Sequence, residues 1–213
     1  RGRRQESHQN CAAEKDTKIT RHDRLIRGKR ERNIQTIIKF MDTIYTDKKL
    51  RAALYSMYVA QFKAIRAYPE AFGNHHATRM LTALMGARPW SWRVVGITKE
   101  ALEIFAKHDF KRPPRLIQRG HLKARSKTAK ALYFDLSKPM AQEKFFKFFL
   151  EQDRTVLMAA AQNRHRSEEE FPDFIKIPPK SRLFPCGSLV GWQHRKQEIA
   201  FLQQLHAKYL LNG

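Results

Sequence analysis

The sequence predicts an α+β fold that is mostly helical, with an N-terminal helical unit packed on a small C-terminal mixed unit. Three observations carry this prediction. Apolar residues recur at helical spacing through the first half of the chain, and two β-prone runs stand in the second half. Of the 213 residues 42% are apolar, enough for a substantial core.

The first half contains a succession of predicted helices. Apolar spacing predicts one helix from Ile34 onward, and Thr46-Asp47 is typical of the N-cap of a second helix, which Pro69 closes. A third helix is predicted over residues 76–85, and Thr98 is a suitable N-cap for a fourth.

The second half mixes strands and helices. Strands are predicted over residues 116–122 and 155–158, the first of them from weak alternation of apolar and polar residues. Helices are predicted to open at Ser137-Lys138-Pro139, to cover about residues 160–170, and to close the chain over residues 192–209.

The domain organisation follows from shifts in composition and from Pro113-Pro114. We predict a basic arm over residues 1–33, a helical subdomain over residues 34–110, and a mixed subdomain over residues 111–213. The mixed subdomain contains a candidate ββα-metal site and the C-terminal helix. The segment 89–95 fits either a short strand or an irregular apolar link.

The charge balance indicates a polyanionic partner. Lys and Arg total 42 against 20 Asp and Glu, a formal net charge of +22. The basic residues are spread along the chain rather than gathered on one amphipathic helix, which favours nucleic acid over a lipid surface. Duplex DNA is the favoured partner, a homodimer is left open, and a charge that serves solubility alone is the plain alternative.

Several classes are excluded or disfavoured by the sequence. No apolar run approaches the ~18–20 residues that a membrane span needs, so no membrane contact is expected. Two cysteines cannot build a disulfide framework, which agrees with a reducing compartment. No signal peptide is recognised, and the absence of an initial Met indicates a piece of a longer polypeptide. The expected location is cytoplasmic and nucleoid-associated.

The densest basic segment runs from Lys107 to Lys130, with nine basic residues and one acid, Asp109. A segment of this kind condenses on a phosphate backbone, although a solvated charged face is the alternative. The side chains predicted to contact phosphates, here and further on, are Arg112, Arg115, Arg119, Lys123, Arg125, Lys127 and Arg164.

Two histidine motifs suggest hydrolytic chemistry. His121 lies in the predicted strand as Arg119-Gly120-His121-Leu122, and the predicted short helix contains Gln162-Asn163-Arg164-His165. A neutral imidazole can take a proton from water, and a divalent cation can stabilise the charge that grows on a phosphate. Imidazole and amide oxygens are suitable ligands for such a cation.

These motifs resemble the HNH, or ββα-metal, nuclease superfamily over about residues 115–170. The resemblance implies that His121 is the general base, that His165 is a metal ligand, and that Asn163 is either a second ligand or the asparagine that orients the base. It implies a divalent metal ion, Mg²⁺ or Mn²⁺, with Zn²⁺ as a further option. Gly120 stands where many members have an acid, and Asp153 and Arg154 are near the position of the usual asparagine.

The function expected from these features is a DNA-binding, metal-dependent endonuclease, of restriction or phage-associated type. The alternative is a non-catalytic nucleic-acid-binding protein, either RNA-associated or architectural. On that alternative His121 binds phosphate or lies on the surface, and His165 is an exposed helix residue. A basic subunit that is ordered only within a larger assembly is the third hypothesis.

Overall fold

The computed structural model describes residues 43–86, 88, 90–165, 171–178, 181, 183–186 and 191–211, and all of these lie in the same unit of the chain. The basic arm predicted for residues 1–33 and the first part of the helix predicted from Ile34 lie outside the described residues. Helices predominate and the strands form a mixed sheet, so the predicted α+β, mostly helical class is confirmed.

The described helices and strands alternate irregularly along the chain. The helices are α1 (Lys48–Ala67), α2 (Asn74–Leu81), α3 (Lys99–Lys107), α4 (Arg125–Tyr133), α5 (Gln142–Gln152), α6 (Ala160–His165) and α7 (Lys196–His206). The strands are β1 (Arg93–Thr98), β2 (Ile117–His121), β3 (Arg154–Ala159) and β4 (Phe174–Lys176). Two π-helical turns, Thr82–Gly86 and Ala207–Leu211, extend α2 and α7.

Two predicted helix caps are confirmed. The Asp47 carboxylate accepts a 2.9 Å hydrogen bond from the Leu50 N–H, and the Thr98 hydroxyl accepts one from the Ala101 N–H. Each cap satisfies an amide that has no partner inside its helix. Helix α1 ends at Ala67, two residues before Pro69, so the predicted end of this helix is confirmed.

A helical core forms where α1, α2, α4 and α5 meet. Tyr58 of α1 is fully buried at its centre and stacks on Phe145, with ring centroids 4.2 Å apart. The Tyr58 hydroxyl donates to the Leu132 carbonyl and accepts from the Met140 N–H, both at 3.2 Å. An aromatic ring with a satisfied hydroxyl can be buried at little cost, so this residue ties three helical segments together.

The described strands form a four-stranded sheet in the order β2-β3-β1-β4. β1 and β3 are parallel, while β2 pairs with β3 and β4 pairs with β1 in antiparallel fashion. The two central strands are largely apolar, as expected for strands covered on both faces. The register between β1 and β3 shifts once, between Val94 and Gly96.

A second core lies on one face of this sheet. Helices α3 and α7 and the irregular segment before α7 cover it. Its main members are Ile97, Leu102, Phe105, Leu157, Phe184, Trp192 and Leu202. The sheet therefore joins elements from both sides of the boundary that we predicted at residue 110, because β1 precedes that boundary and its partner strands follow it.

Helices α4 and α5 are inserted between the paired strands β2 and β3, yet they contribute to the helical core. The sequence did not reveal α4, because its buried face includes the polar residues Arg125 and Thr128. The predicted start of α5 at Ser137 is wrong: the helix begins at Gln142 after Ala141, and no side chain caps it. Strand β4, only three residues long, was not predicted either.

Candidate functional site: a buried Asp–His–Arg cluster

The end of β2 places two basic side chains on one face of the sheet. Successive residues of a strand point to opposite faces, so Arg119 and His121 share a face while Gln118 and Gly120 share the other. Leu122 continues the pairing, because its N–H donates to the Arg154 carbonyl at 2.9 Å. His121 thus stands at the edge of the sheet beside the start of β3.

The His121 side chain is only 12% exposed and has three close neighbours. Its Nε2 lies 3.0 Å from Asp153 Oδ1 and 3.2 Å from Arg125 Nη2, and its ring centroid lies 4.2 Å from that of Trp92. A carboxylate only accepts and a guanidinium only donates. We therefore assign the proton to Nε2, which donates to Asp153. Arg125 Nη2 lies close to the same nitrogen because both groups are attracted to the Asp153 carboxylate.

Asp153 organises this cluster from the residue just before β3. Its carboxylate is 3% exposed and accepts from His121, from Arg125 and, at 2.7 Å, from the Trp92 N–H. Burial alone would raise the pKa of this carboxyl, but the His121 hydrogen bond and the Arg125 charge outweigh burial and hold the pKa below its usual value. Asp153 is therefore ionised at neutral pH.

Burial dominates the titration of His121. Desolvation lowers its pKa below the usual value, while the hydrogen bond to Asp153 opposes the shift only in part because Arg125 offsets the carboxylate charge. The imidazole is then neutral at pH 7, with Nε2 protonated and Nδ1 unprotonated. A neutral imidazole oriented by a carboxylate is the arrangement of a general base.

Trp92 holds the cluster from the loop before β1. Its backbone has φ = 58°, which is unusual for a bulky residue. Its indole N–H donates to the Gly86 carbonyl at 2.7 Å, and the guanidinium groups of Arg119 and Arg125 lie 5.0 and 4.8 Å from its ring. Such a backbone conformation persists only where neighbouring contacts determine it, and here they bring the two arginines together.

Both of these arginines are buried, at 6% and 9% exposure. Arg119 donates to the Trp92 carbonyl at 3.2 Å and to the Gly191 carbonyl at 2.8 Å. Arg125 bonds to Asp153 and lies directly against Gly86, where a Cβ atom would come within 1.8 Å of Nη1. The guanidinium charges of Arg119 and Arg125 thus interact mainly with other protein groups and little with solvent.

A narrow crevice opens beside the cluster. It is lined by His121, Lys123, Arg125, Thr128, Phe149, Gln152 and Asp153. The crevice has no room for a water-sized sphere, so it does not hold a water molecule beside the His121 ring.

Asn163, a predicted metal ligand, points to the opposite face of β2. Its Nδ2 donates to Gln118 Oε1 at 2.7 Å, and its Oδ1 lies 2.8 Å from where a Cβ on Gly120 would stand. Gln118 and Gly120 face away from His121. The structure therefore brings Asn163 next to the residue that precedes His121, but not into the cluster around its imidazole.

Of the two predicted metal ligands, the described residues place only the Asn163 side chain. They contain no group of three or more His, Cys, Asp or Glu side chains that could hold an ion. Gly120 supplies no ligand, and the space beside it is filled by Met158 and Asn163. His165 ends α6, and its side chain is outside the described part of the chain.

The remaining residues predicted to bind phosphate are distributed over several surfaces. Arg115, Lys127 and Arg164 are exposed, and Lys123 is half-buried at the crevice. Arg112 is exposed, but its guanidinium lies 4.2 Å from the centroid of the Trp192 ring and donates a hydrogen bond to the Trp192 carbonyl. Five of the seven predicted side chains, all but Arg119 and Arg125, thus have some access to solvent.

Asp153 and Trp92 are the members of the cluster that the sequence did not identify. For Asp153 a signal existed, since it stands near the position at which the resembled family has its asparagine. Its role as the partner of His121 depends on a contact across 32 residues, which no local pattern reveals. Trp92 gave no signal, because it reaches the cluster through its backbone N–H and an unusual φ.

Comparison with protein-family models, curated proteins and solved structures finds no match to this chain. None of the helices in the described ranges has the length and apolar character needed to cross a membrane. The fold and the cluster define a strongly basic α+β protein in which a carboxylate, an imidazole and a guanidinium meet at the edge of a mixed sheet.

Proposed function

We propose that this protein binds nucleic acid and hydrolyses its phosphodiester bonds, with His121 as the general base. The observation that carries the proposal is the buried contact between the His121 imidazole and the Asp153 carboxylate. It combines three properties of a catalytic base: a neutral ring, a fixed tautomer, and a second ring nitrogen without a partner in the described residues.

In this proposal His121 Nδ1 takes a proton from water as the oxygen attacks phosphorus. The ring then carries a positive charge, which the ionised Asp153 stabilises at 3.0 Å. The bond from phosphorus to the departing oxygen breaks, that oxygen takes a proton from solvent water, and the imidazolium later returns its proton to solvent. The positive charges of Arg119 and Arg125 lie within the same buried cluster and favour the growing negative charge on the phosphate.

The net charge of +22 supports a nucleic-acid substrate. Exposed Arg115, Lys127 and Arg164, together with Lys123 at the crevice, would neutralise phosphates of a bound nucleic acid. Duplex DNA stays the favoured substrate, and the divalent ion stays a prediction because the described residues do not form its ligand set.

A non-catalytic nucleic-acid-binding protein is the second candidate. Two observations favour it: the crevice beside His121 is narrow, and the Asp153 carboxylate is fully used by three donors. In that case the cluster is a structural clamp that joins α4, β2 and the Trp92 loop. Both candidates share the affinity for polyanions and differ only in chemistry.

The decisive experiment combines cleavage and binding measurements on the same variants. Supercoiled plasmid, single-stranded DNA and RNA are incubated with the protein in Mg²⁺, Mn²⁺ or EDTA. We expect cleavage by the unaltered protein and a loss of about 10²–10⁴-fold in rate for His121→Ala, because the base is removed. His108→Ala, which removes an exposed histidine after α3, is the matched control and should cut normally.

Binding and folding are measured alongside cleavage. Circular dichroism and thermal unfolding identify variants that fail to fold, and His121→Gln provides a more conservative replacement. If the unaltered protein cuts no substrate under any of these conditions but binds them in a salt-dependent way, the hydrolase proposal is wrong and the binding protein is correct. Cleavage in EDTA would show that the expected metal ion is not required.

A further inference from the structure

A second site lies on a different part of the surface, between the helical segment at residues 43–46, α1, the start of β1, and α5. It is an open cleft of about 320 Å³. Its residues are Ile44, Tyr45, Arg51, Arg93, Glu143, Phe146, Lys147, Leu150 and Glu151. This volume is at the small end of the range for ligand pockets, about 300–1,000 Å³, and so suits a single small ligand.

Two planar side-chain groups, the Tyr45 ring and the Arg51 guanidinium, line the cleft. The Tyr45 side chain is 55% exposed, although the large ring of a tyrosine is more often mostly buried. The Arg51 guanidinium lies 4.6 Å from the centroid of the buried Phe146 ring, and Glu143 holds it in place at 2.6 Å. A tyrosine ring and a preoriented guanidinium plane are the two kinds of surface on which a nucleobase stacks.

The rim of the cleft carries unpaired positive charge. Arg93 and Lys147 are exposed at the rim, and Arg93 is the direct neighbour of exposed Arg154 across the β1–β3 pair. Neither arginine has an ion pair with the described residues. Two exposed arginines placed opposite each other on paired strands concentrate positive charge that one phosphate can neutralise.

The acidic residues of the cleft do not cancel this charge. Glu143 is already paired with Arg51, which leaves Glu151 at the rim against Arg93, Lys147 and the neighbouring Arg154. A carboxylate only accepts hydrogen bonds, so Glu151 is suited to the exocyclic amino group of a base.

We propose that this cleft binds one unpaired nucleotide, with its base stacked against Tyr45 and Arg51 and its phosphate on Arg93 and Arg154. The inference rests on the proposed affinity for nucleic acid, but not on the hydrolysis at His121. It makes the protein a reader of single-stranded ends or unpaired bases that carry an amino group. A free nucleotide has the same chemistry and is distinguished by the test.

The test uses 2-aminopurine at a one-nucleotide overhang of a DNA duplex, titrated with the complete protein. We expect quenching of its fluorescence on binding, and no quenching when 2-aminopurine is paired inside a blunt duplex. Tyr45→Ala should remove the quenching and weaken overhang binding about tenfold, whereas Tyr45→Phe should retain both. Tyr68→Ala, which removes an equally exposed tyrosine, is the control and should behave as the unaltered protein.

Charge reversal at the rim provides a second readout. Arg93→Glu should weaken overhang binding at least tenfold more than blunt-duplex binding, while Arg66→Glu, on the exposed side of α1, should weaken both equally. Competition with AMP tests whether a free nucleotide occupies the same cleft. Displacement of the overhang by AMP, but not by adenosine, supports a nucleotide site that depends on the phosphate.

The outcomes separate this inference from the proposed function. Quenching that is unchanged in both Tyr45→Ala and Arg93→Glu overturns the cleft proposal and leaves nucleic-acid binding intact. A protein that binds neither the overhang nor the blunt duplex overturns both proposals. Loss of plasmid cleavage in His121→Ala with normal quenching supports two separate sites.

Discussion

Asp153 determines the geometry of the cluster, because its single carboxylate receives hydrogen bonds from three different segments. They come from the Trp92 backbone, the end of β2 and the start of α4. A buried charge of this kind is tolerated only when its partners are complete. The same carboxylate fixes the tautomer of His121, so stability and the proposed chemistry depend on one side chain.

Removal of this charge should be costly. We expect Asp153→Asn to lower the free energy of unfolding by about 3 kcal/mol, because Arg125 is left as a buried charge without its carboxylate. Urea unfolding at pH 7.5 measures the change, and Asp135→Asn, at an exposed position, should have almost no effect. Addition of Arg125→Met to Asp153→Asn should restore part of the loss; a double variant less stable than Asp153→Asn would contradict this account.

At the scale of elements, the π-helical turn Thr82–Gly86 supports the cluster from the helical side. Gly86 ends this turn, its carbonyl accepts from the Ser91 hydroxyl and the Trp92 indole, and Arg125 fills the space where a side chain would stand. The helical core and the sheet edge are thus coupled at one glycine.

A methyl group at this glycine should disturb the coupling. Gly86→Ala is expected to destabilise the protein by about 1–3 kcal/mol, because Arg125 must leave Asp153 to avoid the new Cβ atom. Gly73→Ala is the control, since a Cβ there meets nothing within 4 Å. Because Gly73 is the N-cap of α2, where alanine is less favourable than glycine, this variant should cost about 0.5 kcal/mol, less than Gly86→Ala. Equal unfolding midpoints in urea for the two variants would refute the steric argument.

Elements with local signals were predictable from the sequence, and those defined by distant contacts were not. Asp47 and Thr98 mark their helices by capping, and residues 155–158 mark β3 by β-branched and apolar side chains. Helix α4 was missed because its buried face includes Arg125, whose burial makes sense only once Asp153 is beside it. His121 was identified as a candidate base from its motif, but its orienting partner was not.

For the whole molecule, the partly buried His121 and His194 predict how stability varies with pH. Burial lowers the pKa of both His121 and His194 below the ordinary value of 6.5. Below pH 6.5 the unfolded chain binds protons at these positions that the folded protein does not, so folding stability falls as the pH falls. Above pH 6.5 both states are neutral there, and these residues add no slope.

Urea unfolding between pH 7.5 and pH 5.5 tests this direction. Each of these residues can contribute at most about 1.4 kcal/mol per pH unit to the slope, and His121→Gln and His194→Gln should each make the profile flatter. Asp153 does not contribute in this range, because its pKa lies below its usual value of 3.8. A protein that is equally stable at pH 5.5 and pH 7.5 would contradict the proposed neutrality of the two rings.

The position of β1 in the sheet also has a consequence for biosynthesis. This central strand emerges from the ribosome before either of its neighbours. The Trp92 N–H, directly before the strand, bonds to the Asp153 carboxylate 61 residues later. At about 5–20 residues per second, its apolar side chains wait roughly 3–12 s for β3. During that interval the nascent chain exposes an unpaired apolar strand, which is prone to aggregation. We expect chaperone binding to matter most at this stage.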